Sequence, residues 1–293
     1  MTSTAAEPAS GPASGSRDEE PTERDPKRLL AVTFALVGWT VGVGVLLYLV
    51  GNEGIRVGID LAAYIRAGED LLAGDTVYVG EIGDYGTFSY APPWAVLFAA
   101  LAWVPDLVMQ AAMMGLSLLA VRYVAGSWLW AGLVFLYPIS AMVLWAGNIE
   151  FLIAAAIVLA ARGHSGPLAF TALAKVSPIL AVPRSGWKEA ALVIAIALLV
   201  TLPWVHLWPE WIDYLLRQPS TIDIHVGPPW YVRLPFALAL LLVRRPWAPA
   251  VAVVVAMPSL WLGTFVILSA AVRLWLDGRR KTEPLKSTLG PSR

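Results

Sequence analysis

The residues able to do chemistry fall in three short stretches. The first holds Asp60, one helical turn ahead of Tyr64, within the polar segment Gly51 to Tyr90. A carboxylate on such a loop could take the proton of an acceptor hydroxyl as a general base. The plainer reading is a solvated carboxylate or a helix N-cap, a position that favours Asp. The second is Lys175, an ammonium inside the apolar stretch Leu168 to Val182. A charge there is costly, so it should face a cavity or an anion, and a phosphate is the obvious anion. The alternative is a lysine snorkelling from a helix end. The third is Gly147-Asn148-Ile149-Glu150. Glu150 opens an apolar run, where the helix dipole favours a carboxylate. Capping and a role in binding sugar or phosphate, with Asn148 beside it, both stay open. His225 and Arg233 flank a second polar segment and add two candidates for phosphate or sugar contact. Tyr64, Tyr78, Tyr90 and Trp94 could stack on sugar or lipid, or belong to an interfacial aromatic belt. Asp75, directly after Gly74, reads as turn chemistry.

Other chemistries lack their residues. The chain has no Cys and three His. Disulfides, thiolate catalysis and Cys-based metal sites are excluded, and a His-rich metal site is not expected. No Gly-rich phosphate loop, nucleophile elbow or metal motif is present. Neither a metal nor a cofactor is therefore expected. Net charge is zero, which gives no electrostatic case for nucleic acid.

These residues must be held by a membrane protein. Hydrophobic residues make up 58% of the chain and charged residues 14%, against about 45–50% and about 25% in a soluble domain. The excess lies in apolar runs from Leu29 to Trp275. The expected fold is all-α, a polytopic transmembrane helical bundle. Its N-terminal tail, 1–28, is Ala-, Ser-, Gly- and Pro-rich and is expected to be disordered. Lys27 and Arg28 precede the first membrane run, Leu29 to Val50, so the positive-inside rule keeps the tail cytoplasmic and puts Gly51 outside. In the long loop that follows, Ile59 to Ala73 carries Ile59, Ala62, Ala63, Ala67, Leu71 and Leu72 at helical spacing. That predicts an amphipathic helix on the membrane surface, ended by Gly74. Trp94 to Val104 then returns to the cytoplasm, Pro105-Asp106 turns, and Leu107 to Val124 climbs out.

From Ser127 the apolar runs become too short to span. They are Trp128 to Tyr137, Ile139 to Trp145, Ile149 to Ala161, Leu168 to Ala174 and Ile179 to Val182. Broken or half-length helices at membrane depth need protein or a wet cavity to satisfy their backbone, so they point to a binding site. Ala190 to Leu207 is read as an outward span, Leu234 to Val243 as a return, and Ala248 to Trp275 as a hairpin broken at Pro258. Residues 277–293 are read as a disordered cytoplasmic tail.

Asp60-x-x-x-Tyr64, then Leu72-Ala73-Gly74-Asp75-x-x-Tyr78, then Phe88-Ser89-Tyr90-Ala91-Pro92-Pro93 resembles the first outer loop of the bacterial GT-C-type mannosyltransferases that use polyprenyl-phosphate mannose. Gly147-Asn148 and Lys175-x-x-Pro178 resemble later landmarks of that family. The likeness runs from about Leu29 to Trp275, which would make 29–276 one transmembrane glycosyltransferase domain. The resemblance implies an inverting transfer from a polyprenyl-phosphate sugar donor to a lipid or glycolipid acceptor. It places Asp60 as the catalytic base and Lys175 near the lipid phosphate. It implies an extracytoplasmic active site on a multi-pass plasma-membrane protein with both termini cytoplasmic. Two departures stand: Asn148 occupies a position commonly held by Gln, and the chain is short for the family. Competing readings are a transporter or flippase, and an inactive partner in envelope assembly.

Overall fold

The computed structural model describes residues 26–52, 57–80, 86–216 and 226–288. The expected N-terminal tail lies almost wholly outside them, and so does His225. Among the described residues the chain is helical throughout, with thirteen α-helices and no strand. Two helices are long and apolar enough to cross a membrane, α1 (Pro26–Gly51) and α4 (Asp106–Ala125). Between them lie α2 (Ile59–Ala73) and α3 (Pro92–Leu101). A third crossing results if α5 (Trp128–Phe135) and α6 (Ile139–Ala146), which meet at 104°, are counted as one bent span. Short helices follow: α7 (Glu150–Ala161), α8 (Gly166–Ala172), α9 (Trp187–Val200), α10 (Leu207–Leu216), α11 (Trp230–Leu242) and α12 (Ala248–Val255). The last, α13 (Leu268–Thr288), continues into the segment expected to be a tail.

Lipid is the natural neighbour of α1. It leaves Leu29, Leu30, Phe34, Leu47 and Val50 exposed and buries only Ala35, Gly38, Gly42 and Leu49. The small residues face α5. A Cβ on Gly38 would stand 1.9 Å from the Gly132 carbonyl oxygen, and one on Gly132 would stand 2.0 Å from that of Ala35. The two backbones meet directly, as small residues allow in membrane helix pairs.

Several basic side chains gather at one end. Arg162 pairs with Asp277 at 3.3 Å, and Arg273 reaches both Asp277 and the Val124 carbonyl. Glu189 accepts from the Ser165 backbone N–H at 2.7 Å. These contacts bring together the ends of α4 and α7, the starts of α8 and α9, and the middle of α13. Arg122, Arg162, Arg184, Lys188 and Arg273 therefore share a level. At the opposite end, the Gly58 N–H and the Gln110 side chain both donate to the Trp145 carbonyl, at 2.9 and 3.2 Å.

That second set of contacts corrects the expected topology. Gln110 belongs to the first turns of α4, so α4 starts beside α2 and ends at the basic end. The expected return over Trp94 to Val104, with Pro105-Asp106 turning and Leu107 to Val124 running the other way, does not occur. Helix α3 has ten residues, about 15 Å long, against a hydrocarbon core of about 30 Å. It buries Trp94, Ala95 and Phe98 against its neighbours instead of crossing. The expected span from Ala190 to Leu207 also breaks, because α9 stops at Val200, ahead of Pro203. The half-length pieces between Ser127 and Val182 form close to where the apolar runs placed them.

Candidate functional site

Asp60 sits in the first turn of α2, whose N-cap is Gly58 in the left-handed region (φ 67°), with no capping side chain. The carboxylate is therefore not an N-cap. Its Oδ2 accepts from Asn148 Nδ2 at 2.7 Å. Asn148 follows Gly147, which ends α6 at φ 70°. The corner is tight: a Cβ on Gly147 would stand 2.9 Å from Leu61 Cβ. Only glycine takes this backbone without strain while the first turn of α2 rests on it. The Asn148 Oδ1 accepts from the Ile149 N–H at 2.6 Å, so the amide is oriented with its NH2 toward Asp60.

Behind this corner lies a fully buried charge. Glu150 has 0% exposure. Its Oε1 accepts from the Lys175 ammonium and from Trp261 Nε1, the latter at 3.0 Å. Among the described residues its Oε2 has no hydrogen-bond partner. Capping alone does not describe such a residue, because a carboxylate this deep needs a cation. Lys175 supplies it, and its side chain keeps 16% exposure. The lysine is thus engaged by Glu150 rather than standing alone for an anion.

Burial pushes the Asp60 carboxyl up to about 6 from its ordinary 3.8, and the Glu150 charge adds to the rise. Lys175 and the Asn148 hydrogen bond pull the other way. Asp60 itself is half-buried, and its second oxygen carries no hydrogen bond among the described residues.

The tyrosines extend the site. The hydroxyls of Tyr64 and Tyr90 share a hydrogen bond at 2.7 Å, and the Tyr78 hydroxyl donates to the Tyr90 carbonyl at 3.0 Å. Burial first holds the Tyr64 and Tyr90 hydroxyls well above their ordinary proton affinity; next come the Tyr90 hydroxyl and then Asp60 for Tyr64, and Glu150 for Tyr90. They stay neutral. All three tyrosines and Trp94 are buried and ring-packed, with Tyr64 and Tyr90 centroids 4.9 Å apart. The interfacial-belt reading does not hold for them. The buried face of α2 keeps Ala63, Ala67 and Leu71 of the expected one, adds Leu61, Tyr64, Ile65 and Gly68, and turns Ala62 and Leu72 outward. Asp75 does sit in the expected turn, its N–H bonded to the Asp70 carbonyl at 2.8 Å after Gly74 ends α2.

Arg233 belongs elsewhere. Its guanidinium donates to the carbonyls of Pro228, Val255 and Met257, each at 2.8 Å, and to that of Pro258 at 3.4 Å. It clamps the end of α12, and its donors are largely consumed there. Sequence reasoning also missed Trp261. Its only signal was an indole close behind the break at Pro258.

The structure thus gathers Asp60, Asn148, Glu150, Lys175, Tyr64 and Tyr90 and leaves Arg233 outside. Among the described residues no three His, Asp or Glu side chains lie together as a metal site would require. Gln110 and Arg122 on α4, and Glu150 and Arg162 on α7, are each twelve residues apart. Both helices put the cluster about 18 Å from the basic end. An open cleft of about 250 Å³ lies nearby, between the end of α2 and α10, lined by Asp75, Tyr78, His206, Glu210 and Asp213. Asp60 does not line it. Known protein families, characterised proteins and solved structures were each compared with the chain, and none matches.

Proposed function

We propose that this chain is an inverting membrane glycosyltransferase. It would move a sugar, mannose by the resemblance, from a polyprenyl-phosphate donor to a hydroxyl of a lipid or glycolipid acceptor. The positive-inside rule assigns the basic end to the cytoplasm, which leaves the Asp60 cluster toward the outer leaflet of the plasma membrane. The reading rests above all on Asp60. One oxygen is held by Asn148, the other has no hydrogen bond among the described residues, and a proton affinity near 6 suits a base working close to neutral pH. In the step envisaged, Asp60 takes the acceptor hydroxyl proton while the acceptor oxygen bonds to the anomeric carbon. The bond from that carbon to the phosphate oxygen breaks, and polyprenyl phosphate leaves with the electron pair. The leaving phosphate needs charge stabilisation more than an acid, and Lys175 is the cation at hand. A cluster about 18 Å from the basic end, less than the ~30 Å core, favours substrates that are themselves lipids.

The test is transfer. Purified protein is incubated in proteoliposomes with radiolabelled polyprenyl phosphosugars and a membrane lipid extract. A new glycolipid that disappears with Asp60→Asn is expected. Undiminished product from a folded Asp60→Asn variant would remove Asp60 as the base.

One observation favours a second reading. Helices α6, α7, α8 and α12 all begin or end around the buried Glu150–Lys175 pair, as broken helices do in transporters. A transporter or flippase would move a lipid or solute across the vesicle without any covalent change, and an inactive assembly partner would do neither.

A further inference from the structure

We infer that Asn148 is a positioning residue for Asp60, and that it does not itself contact the sugar or phosphate. The inference rests on the glycosyltransferase reading only for the purpose that the positioning would serve. The argument is geometric. The Asn148 side chain is used at both ends: Oδ1 by the Ile149 N–H at 2.6 Å and Nδ2 by Asp60 Oδ2 at 2.7 Å. The backbone bond removes the rotational choice of the amide, so the NH2 can point only toward the carboxylate. Asn148 is 6% exposed and has little surface left for a ligand. Its backbone is fixed in turn by the Gly147 corner beneath Leu61 and by the Asn148 N–H bond to the Val143 carbonyl at 3.2 Å. A rigid donor on a rigid corner selects one Asp60 oxygen for itself and presents the other for the acceptor hydroxyl. Preorganisation of this kind is how a supporting residue contributes to rate.

The same bond stabilises the ionised form of Asp60. Every titratable group facing that carboxylate counts in this balance. Glu150 on α7 raises its proton affinity, Lys175 beyond α8 lowers it, and the neutral hydroxyls of Tyr64 on α2 and Tyr90 ahead of α3 complete the surroundings. Losing the Asn148 donor leaves burial and Glu150 less opposed.

A chemical titration tests this without any sugar transfer. A hydrophobic carbodiimide adds to protonated carboxyls, and the resulting acylurea is quantified by mass spectrometry. Cleavage at Arg56 and Arg66 yields a fragment, Val57 to Arg66, in which Asp60 is the only carboxylic side chain. In the intact protein, labelling should fall with a midpoint near pH 6. Asn148→Ala removes both bonds. Asn148→Asp keeps the acceptor for the Ile149 N–H but loses the donor, and it protects the test should the alanine variant fold poorly. Both should move the midpoint upward by about one pH unit, a tenfold change in proton affinity, and Asp should move it further than Ala. Midpoints equal to that of the parent in both variants would overturn the inference. A shifted midpoint in a protein that makes no glycolipid would leave the positioning intact and sink the glycosyltransferase reading instead.

Discussion

Replacing Asp60 by Asn should stabilise the folded protein at neutral pH. The carboxyl is raised from 3.8 to about 6, so the folded state binds its proton more tightly than the unfolded chain does. The sign follows. The Asp60 contribution to stability is fully present below about pH 4 and is lost as pH rises through 6. Above that, holding the ionised carboxylate beside Glu150 costs the fold about 2 pH units, or about 3 kcal/mol at most. Asparagine is isosteric and never ionises, and its oxygen can still accept from Asn148. The variant and the parent should therefore be equally stable near pH 4, diverge between 4 and 6, and differ by up to about 3 kcal/mol at pH 7.5. Tryptophan-monitored unfolding in mild detergent, repeated across this pH range, reads the difference directly. A variant no more stable than the parent at pH 7.5, or equally stabilised at pH 4, would refute the account of a carboxylate strained by burial. Together with lost transfer activity, a gain in stability would mark a site that trades stability for function.

Other expectations follow from the same contacts. Lys175→Met leaves Glu150 as a buried carboxylate held only by Trp261, and unfolding should show a loss of about 3–5 kcal/mol. Adding Glu150→Gln to it should recover much of that loss, and strictly additive effects would show that the pair is not coupled. Gly38→Leu drives a side chain into the Gly132 carbonyl, 1.9 Å from where the Cβ would stand. It should lower the melting temperature in detergent far more than Gly44→Leu, whose Cβ meets nothing within 4 Å. Arg233→Met strips the Pro228 carbonyl and three carbonyls at the end of α12 of their donor and should lower stability by several kcal/mol, at about 1 kcal/mol or more per buried unmade bond. If glycosyl transfer is observed, a folded Arg233→Met protein should retain its donor KM.

The sequence by itself determined several of the elements. Period, apolar length and glycine stops fixed α2 at Ile59–Ala73, the chain of half-length helices after Ser127, and the break near Pro258. These are local properties, carried by propensity and by the few residues on either side. It also singled out Lys175 and Glu150, because charges in apolar surroundings are costly wherever they land, and Asp60 and Asn148 by their places one turn ahead of Tyr64 and beside Glu150. Only the tertiary structure decided which of them meet. Asp60 and Asn148 are far apart in the chain, and their bond exists because the first turn of α2 rests on the Gly147 corner. The direction of α4 was decided the same way. A ten-residue α3 is apolar enough to read as part of a span, and only the structure shows that it stops at Leu101 and buries Trp94, Ala95 and Phe98. The tyrosines make the point most plainly: an aromatic beside a membrane helix suits an interfacial belt and a buried core equally well, and the hydrogen bond between Tyr64 and Tyr90 appears only once α2 and the segment before α3 are brought together.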